Sequence, residues 1–283
     1  MRGGAQSSLI QAEDGNFYIV KLLGNPQGSE VLFNEALGTE LIRLVGLPVS
    51  AWRAIIISNE FIDRNPALWF ETAGSRLEPP LAGLCFGSRL VPANGKETLY
   101  ELLPNDWFKL IGNRDDFIGM LLFDLWAHQT DNRQAVFVQD LQTRCMRATF
   151  IDQGDLFGRN ARHQIHQCMN ASFIDRRVYT NLDISSVMPK WENRLRAITS
   201  DVLHSLVSAS SIPAEWYDLG KLDRIIAGLV ERLSYMNEYI FNIKAFVADI
   251  ERHEGNCEDL RIHGDEIRSD ALGRARGRVS YPC

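Results

Sequence analysis

The apolar residues of this chain keep a strand-like period early and a helical period late, and that order dictates an α+β molecule of two lobes. Leu9-Ile10 and Phe17 to Leu23 flank the turn Asp14-Gly15-Asn16, which predicts a β-hairpin. After the loop Gly24 to Gly28, Ser29 can cap a helix whose apolar positions Leu32, Phe33, Ala36, Leu37, Leu41, Leu44 and Val45 recur at helical spacing. Gly46 stops that helix and Pro48 prevents its resumption. Trp52 to Ile57 and Cys85 to Val91 read as strands, and residues 63 to 83 between them have no clear period. Asn113 can cap a further helix with the apolar face Phe117, Met120, Leu121 and Leu125; two short strands follow, Ala135 to Val138 and Ala148 to Ile151. From about residue 186 the stripes Ile198, Val202, Leu206 and Leu222 to Ile240 are helical, with Pro213 and Trp216 at their junction. The expected organisation is a small β-rich N-lobe over residues 1–92, a mostly helical C-lobe over 93–250 and a loosely ordered tail over 251–283.

Bulk properties exclude several classes. A net charge of −6 argues against general nucleic-acid binding, which needs basic surface to neutralise phosphates. The most apolar stretch, Ile118 to Ala127, is too short to cross a bilayer and contains Asp124. Met1 to Ser8 lacks the apolar core of a signal peptide. The five cysteines are scattered and form no CxxC pair, so neither a zinc ribbon nor a disulfide framework is indicated. Reduced thiols in a cytoplasmic protein with no membrane partner are the expectation.

Four charged residues fall where phosphoryl transfer needs them. Lys21 ends an apolar strand, where an unpaired ammonium is costly, and Glu35 lies between Phe33 and Leu37 on the following helix. A strand lysine paired with a helix glutamate is the device by which kinases hold nucleotide phosphates. Asp131, in His128-Gln129-Thr130-Asp131-Asn132-Arg133-Gln134, follows an apolar helix on a loop where a carboxylate can orient or deprotonate a hydroxyl. Asp152 ends a buried strand beside Gln153-Gly154, a suitable place for a metal that bridges phosphates. Either aspartate alone reads equally as a turn former; the four together, with one β-ribbon between the two aspartates, do not.

Other features carry less. Gly3-Gly4-Ala5-Gln6-Ser7-Ser8 can form a loop over phosphates, with Gly4, Gln6, Ser7 and Ser8 as contacts, or simply a frayed terminus. His163, His166 and Cys168 form an HxxHxC cluster without a fourth ligand nearby, so a solvated loop or helix is preferred to a metal site. Trp126, Trp191 and Trp216 read as core anchors.

In their order along the chain, these segments resemble the HipA-like kinase family, in its short branch containing only the kinase core. The similarity runs from about residue 3 to 245 through the Gly/Ser loop, Tyr18-Ile19-Val20-Lys21, Asn34-Glu35, Gly46-Leu47-Pro48-Val49, Phe123-Asp124-Leu125-Trp126, the Asp131 loop, Ile151-Asp152-Gln153-Gly154 and Ile212 to Trp216. The resemblance implies a bilobal protein-kinase-like fold, ATP in the cleft with Mg2+, and transfer of the γ-phosphoryl group to a Ser or Thr hydroxyl of a protein. It implies that Lys21 holds ATP phosphates, Asp131 is the catalytic aspartate and Asp152 ligates magnesium. By position, Cys85-Phe86-Gly87-Ser88 falls near the hinge, with Phe86 and Ser88 toward adenine. One departure stands out: the family's second metal-binding Asn, five residues after the catalytic Asp, is here Val136, leaving Asn132 or Gln134 to supply a neutral oxygen. Autophosphorylation at Ser7 or Ser8 is a further expectation from position. A nucleotide-binding, pseudokinase-like interaction module and a kinase of a small molecule or lipid head group stand as alternatives.

Overall fold

The fold is taken from a computed structural model that describes residues 6–28, 30–72, 76–90, 97–104, 107–158 and 165–262. The first hairpin forms as the sequence predicts, β1 (Ser8–Gln11) and β2 (Phe17–Leu23), with Gly15 supplying the positive φ of its turn. Helix α1 (Glu30–Val45) follows; its expected cap, Ser29, lies outside the described residues. Gly46, at φ +78°, ends α1 as expected. Strand β3 (Trp52–Ile57) leads into α2 (Asn59–Arg64), which Ser58 caps through its side chain. The aperiodic stretch then resolves into the three-residue strands β4 (Phe70–Thr72) and β5 (Arg76–Glu78) and the start of β6 (Leu81–Arg89). β6 thus begins four residues earlier than expected. It is the third strand of the antiparallel sheet β1-β2-β6-β3, flanked by β2 and β3.

Strand β7 (Glu97–Tyr100), which the periodicity does not predict, pairs with β8 (Gln134–Asp140), which pairs in turn with β9 (Met146–Ile151). Between β7 and β8 runs α3 (Asp115–Ala127), buried along its whole length from Phe117 to Ala127. A helix apolar all round belongs in the centre of a lobe, and α3 has that place. Asn113 does not cap it: its side chain bonds the Ala148 N–H and carbonyl on β9, tying the start of α3 to the ribbon. The remaining helices are α4 (Ile165–Asn170), α5 (Ile184–Arg196), α6 (Ser200–Ala209), α7 (Leu219–Arg232) and α8 (Met236–Ile262). Helix α8 runs on past Glu251, where the tail was expected to begin, to Ile262, and residues 263–283 lie outside the described residues.

A large core runs through α1, α3, the ribbon and the C-terminal helices, and a smaller one fills the outer face of the first sheet around Val20, Leu22 and Phe70. Buried Trp216 joins the two parts, its indole N–H donating to Leu84 of β6 at 3.2 Å. Among the described residues, no helix is long and apolar enough to cross a membrane.

Candidate active site

Lys21 and Glu35 meet as their surroundings require. Lys21 is buried on β2, Glu35 is buried on α1, and the two form a direct ion pair. Lys21 also reaches Oδ1 of Asp152, one residue past β9, at 2.5 Å. One ammonium therefore gathers two carboxylates from different parts of the chain. Burial alone would depress Lys21, but the charges of Glu35 and Asp152 reverse this and hold the ammonium above its usual pKa. Glu35 is pushed up to about 7, first by burial and then by the Asp152 charge, with Lys21 opposing. For Asp152, burial would raise the carboxyl, and the charge and hydrogen bond of Lys21 override it and lower the pKa.

The backbone around Asp152 is shaped for this contact. Asp152 itself has φ +63°, an uncommon conformation for a residue other than glycine, concentrated at functional sites. A Cβ on Gly154 would meet Lys21 Nζ at 3.3 Å and Glu35 Oε1 at 3.4 Å. A Cβ on Gly38 would collide with Leu156 Cδ1 at 2.5 Å and Gln153 Cβ at 2.7 Å, so α1 lies directly against the Asp152 turn. Asn34 completes the seam, its amide donating to the carbonyls of Gly154 (2.9 Å) and Leu156 (3.1 Å).

The Asp131 loop is fastened to the same turn from the other side. Thr130 donates through its N–H (3.3 Å) and hydroxyl (3.1 Å) to the Asp155 carbonyl. Arg133 is buried and forked: Nε and Nη2 bind Asp124 of α3 at 3.0 and 2.5 Å. Its Nη1 donates to the carbonyls of Ile151 and Asp152, both at 3.1 Å, and to Gln153 Oε1 at 2.5 Å. Asp131 stays exposed, accepting the Asn132 N–H at 2.7 Å. Burial, followed by the charges of Asp131 and Asp152, raises the Asp155 carboxyl above its usual pKa, so the three aspartates share one field. That set of carboxylates beside a buried ammonium can orient a hydroxyl and neutralise a phosphate.

The other predicted residues separate into groups. Gln134, the first residue of β8, donates its amide to Asp152 Oδ2 at 2.8 Å, whereas Asn132 contributes its backbone N–H to Asp131. Val136 lies within β8 opposite Thr149 and has no ligand oxygen in its side chain. Phe86 is paired on both sides, with Lys21 and Ala54, and its ring stacks on Trp52 at 5.5 Å in the core. Ser88 pairs with Ile19 and Trp52, one residue before β6 ends at Arg89. Gln6 makes a two-point amide clamp on the Glu71 backbone at 2.8 and 2.7 Å, Ser7 is exposed, and Ser8 starts β1. Gly3, Gly4 and Ala5 lie outside the described residues. So does His163, and no His/Cys/Asp/Glu cluster able to hold a metal occurs among the described residues.

The sequence reading missed Arg133, Asp124, Asn34 and Gln153 as members of the site. A signal for two of them was present: an aspartate in an otherwise apolar helix demands a buried cation, and Arg133 is nine residues on.

Comparison with known proteins fixes the fold class. No family model and no curated protein matches the sequence. Solved structures do match in shape. A structure of the Golgi casein kinase aligns over 86% of this chain and 71% of that one, at 11% identity and TM-score 0.53. Another, of the Golgi casein kinase with Mn and ADP bound, aligns over 84% and 71% at 11% identity and TM-score 0.50. The HipA, HipB and operator DNA complex of the Shewanella oneidensis MR-1 toxin–antitoxin system aligns over 87% of this chain and 67% of that one, again at 11% identity and TM-score 0.50. A β-rich N-terminal part and a helical C-terminal part, arranged as in these structures, make this a kinase-like α+β fold.

Proposed function

We propose that the protein is an ATP-dependent phosphotransferase acting on a hydroxyl group, with a Ser or Thr of a protein as acceptor. The observation that carries this reading is the contact of Lys21 with both Glu35 and Asp152 while Arg133 and Thr130 hold the Asp131 loop to the same turn. In this reading Lys21, steadied by Glu35, binds the nucleotide phosphates. Asp131 takes the proton of the acceptor hydroxyl as its oxygen bonds to the γ-phosphorus. The bond from that phosphorus to the β–γ bridging oxygen breaks, and its electron pair leaves with the diphosphate. Catalysis rests on position and electrostatics, since phosphoryl transfer needs little covalent help.

The nucleotide and divalent cation of one casein kinase structure support the same ligands here. Magnesium takes one or two carboxylates beside phosphate and water oxygens, and Asp152 Oδ2, met by Gln134 at 2.8 Å on a partly open side chain, suits that demand. Asp152 would hold the ion, with the Gln134 amide turned so that its oxygen, in place of the N–H that now donates to Asp152 Oδ2, faces it. Bound there, it would neutralise charge developing on the phosphate oxygens. Gln134 takes the place that Val136 cannot fill.

The test is transfer of labelled γ-phosphate to the protein itself and to cell extract, separated into protein and metabolite fractions. The parent labels protein and Asp131→Ala does not. Equal labelling by both refutes the role of Asp131, and label in the metabolite fraction redirects the acceptor to a small molecule. Val136 favours a second reading, a nucleotide-binding module without transfer, which nucleotide binding without any labelled product would support.

A further inference from the structure

A polar cavity of about 370 Å³ opens between α1, α7 and the segment after the Asp152 turn; Asn34 borders it, but neither Lys21, Asp131, Asp152 nor Gln134 lines it. Its wall is one face of α7. Lys221, Arg224, Gly228 and Arg232 follow one another at spacings of three and four, so their side chains stack on the same side of the helix. Glu30 of α1 is the one carboxylate in the lining, 3.0 Å from Lys221. Three cations against one carboxylate leave the walls two positive charges in excess.

Arg232 makes that excess expensive. Its side chain is buried, and Nε donates to the Trp126 carbonyl at 2.5 Å; exposed Glu231 acts on it through its charge alone, and no carboxylate forms an ion pair with its guanidinium among the described residues. A buried charge without a counter-charge costs several kcal/mol, roughly, and is ordinarily compensated. Gly228 helps to accommodate it, since a Cβ there would sit 3.2 Å from Arg232 Nη1. The His128 ring lies behind Gly158 at the cavity wall, buried, with neither nitrogen hydrogen-bonded among the described residues. Burial, and then the Arg232 charge, lowers its pKa and disfavours a further positive charge there.

We propose that this cavity is an anion site, separate from the nucleotide cleft, that takes a phosphate group between Lys221, Arg224 and Arg232. A dianionic phosphate matches the excess of two positive charges, and guanidinium forks match its oxygens. The proposal does not depend on phosphotransfer at the Asp131 site. A free phosphate ester and a phosphorylated side chain present the same chemistry.

Calorimetric titration at constant ionic strength separates the possibilities, with inorganic phosphate, glycerol 3-phosphate and a phosphoserine peptide as probes. Arg224 is exposed, and Lys221 pairs with half-exposed Glu30 at the cavity rim, so Lys221→Gln/Arg224→Gln removes charge without opening the core. The double variant should bind phosphate about tenfold more weakly than the parent, while Arg224→Lys stays within about threefold. Any phosphate held in the nucleotide cleft is common to both proteins and drops out of the difference. Glycerol 3-phosphate binding identifies a small ester as the ligand, and binding of the peptide alone identifies a phosphorylated side chain. Equal affinities in parent and double variant, with unchanged circular dichroism, overturn the site; so does the absence of heat with all three probes.

Discussion

Arg133 and Asp124 offer the sharpest energetic test of how the site is held. Both side chains are about 1% exposed and are joined by two hydrogen bonds, of 3.0 and 2.5 Å. Replacing Arg133 by Met leaves the Asp124 carboxylate buried without its cation, and removal of one partner of a buried pair costs about 3–5 kcal/mol. Asp124→Leu costs less, about 2–3 kcal/mol, because Arg133 keeps three acceptors at Ile151, Asp152 and Gln153. In the double variant neither charge remains, and the residual cost is about 2 kcal/mol from the acceptors left open. Urea denaturation of all four proteins should therefore give a coupling of at least about 3 kcal/mol, far outside the roughly 0.5 kcal/mol expected of independent sites. Burial already raises Asp124 above the usual carboxylate pKa while Arg133 opposes, so losing Arg133 raises it further. The penalty of Arg133→Met should then shrink as pH falls and Asp124 takes up a proton. Additive losses, or a penalty under about 1 kcal/mol for Arg133→Met, would refute the pairing as the clamp on the Asp131 loop.

Three further outcomes are expected. Glu35, raised from 4.5 to about 7, favours the folded state in its protonated form, so its contribution is fully present below 4.5 and is lost as pH rises through 7. The stability of the parent relative to Glu35→Gln should fall between pH 5 and pH 8, measured by denaturation at each pH; a flat difference contradicts the raised pKa. In that window the other two groups are silent: lowered Asp152 loses its contribution at more acid pH, and raised Lys21 at more alkaline pH. Gly38→Ala should cost about 1–3 kcal/mol and weaken nucleotide binding, because its Cβ would displace Leu156 and Gln153 from α1; unchanged stability would show that the turn yields freely. Gln134→Leu should raise the magnesium concentration needed for half-maximal nucleotide binding, and an unchanged requirement removes Gln134 from the metal site.

What the sequence disclosed follows from where its signals were local. The hairpin, α1 and the ribbon flanking Asp131 and Asp152 each announce themselves through turn chemistry and periodicity, and the Lys21–Glu35 pair through the price of a charge in an apolar run. β4, β5 and β7 were invisible because strands of three or four residues carry too few alternations to register a period. Asn113 has the composition of a helix cap, but a tertiary bond to Ala148 outcompetes the local one. The tie of Arg133 to the Asp152 turn was hidden because two of its acceptors there are backbone carbonyls, which every sequence possesses and only the fold aims. The paired backbone of Phe86 was likewise unreadable without the strand order, which sets β6 between β2 and β3.

The account stands or falls on whether Asp152 and Lys21 mark a nucleotide site. A thermal-shift titration with ATP, with and without magnesium, on the parent and on Asp152→Ala addresses this directly, since a ligand bound to the native state raises Tm by mass action. The account predicts a magnesium-dependent rise for the parent that Asp152→Ala loses. An equal rise in both proteins, or none at millimolar nucleotide, would contradict it.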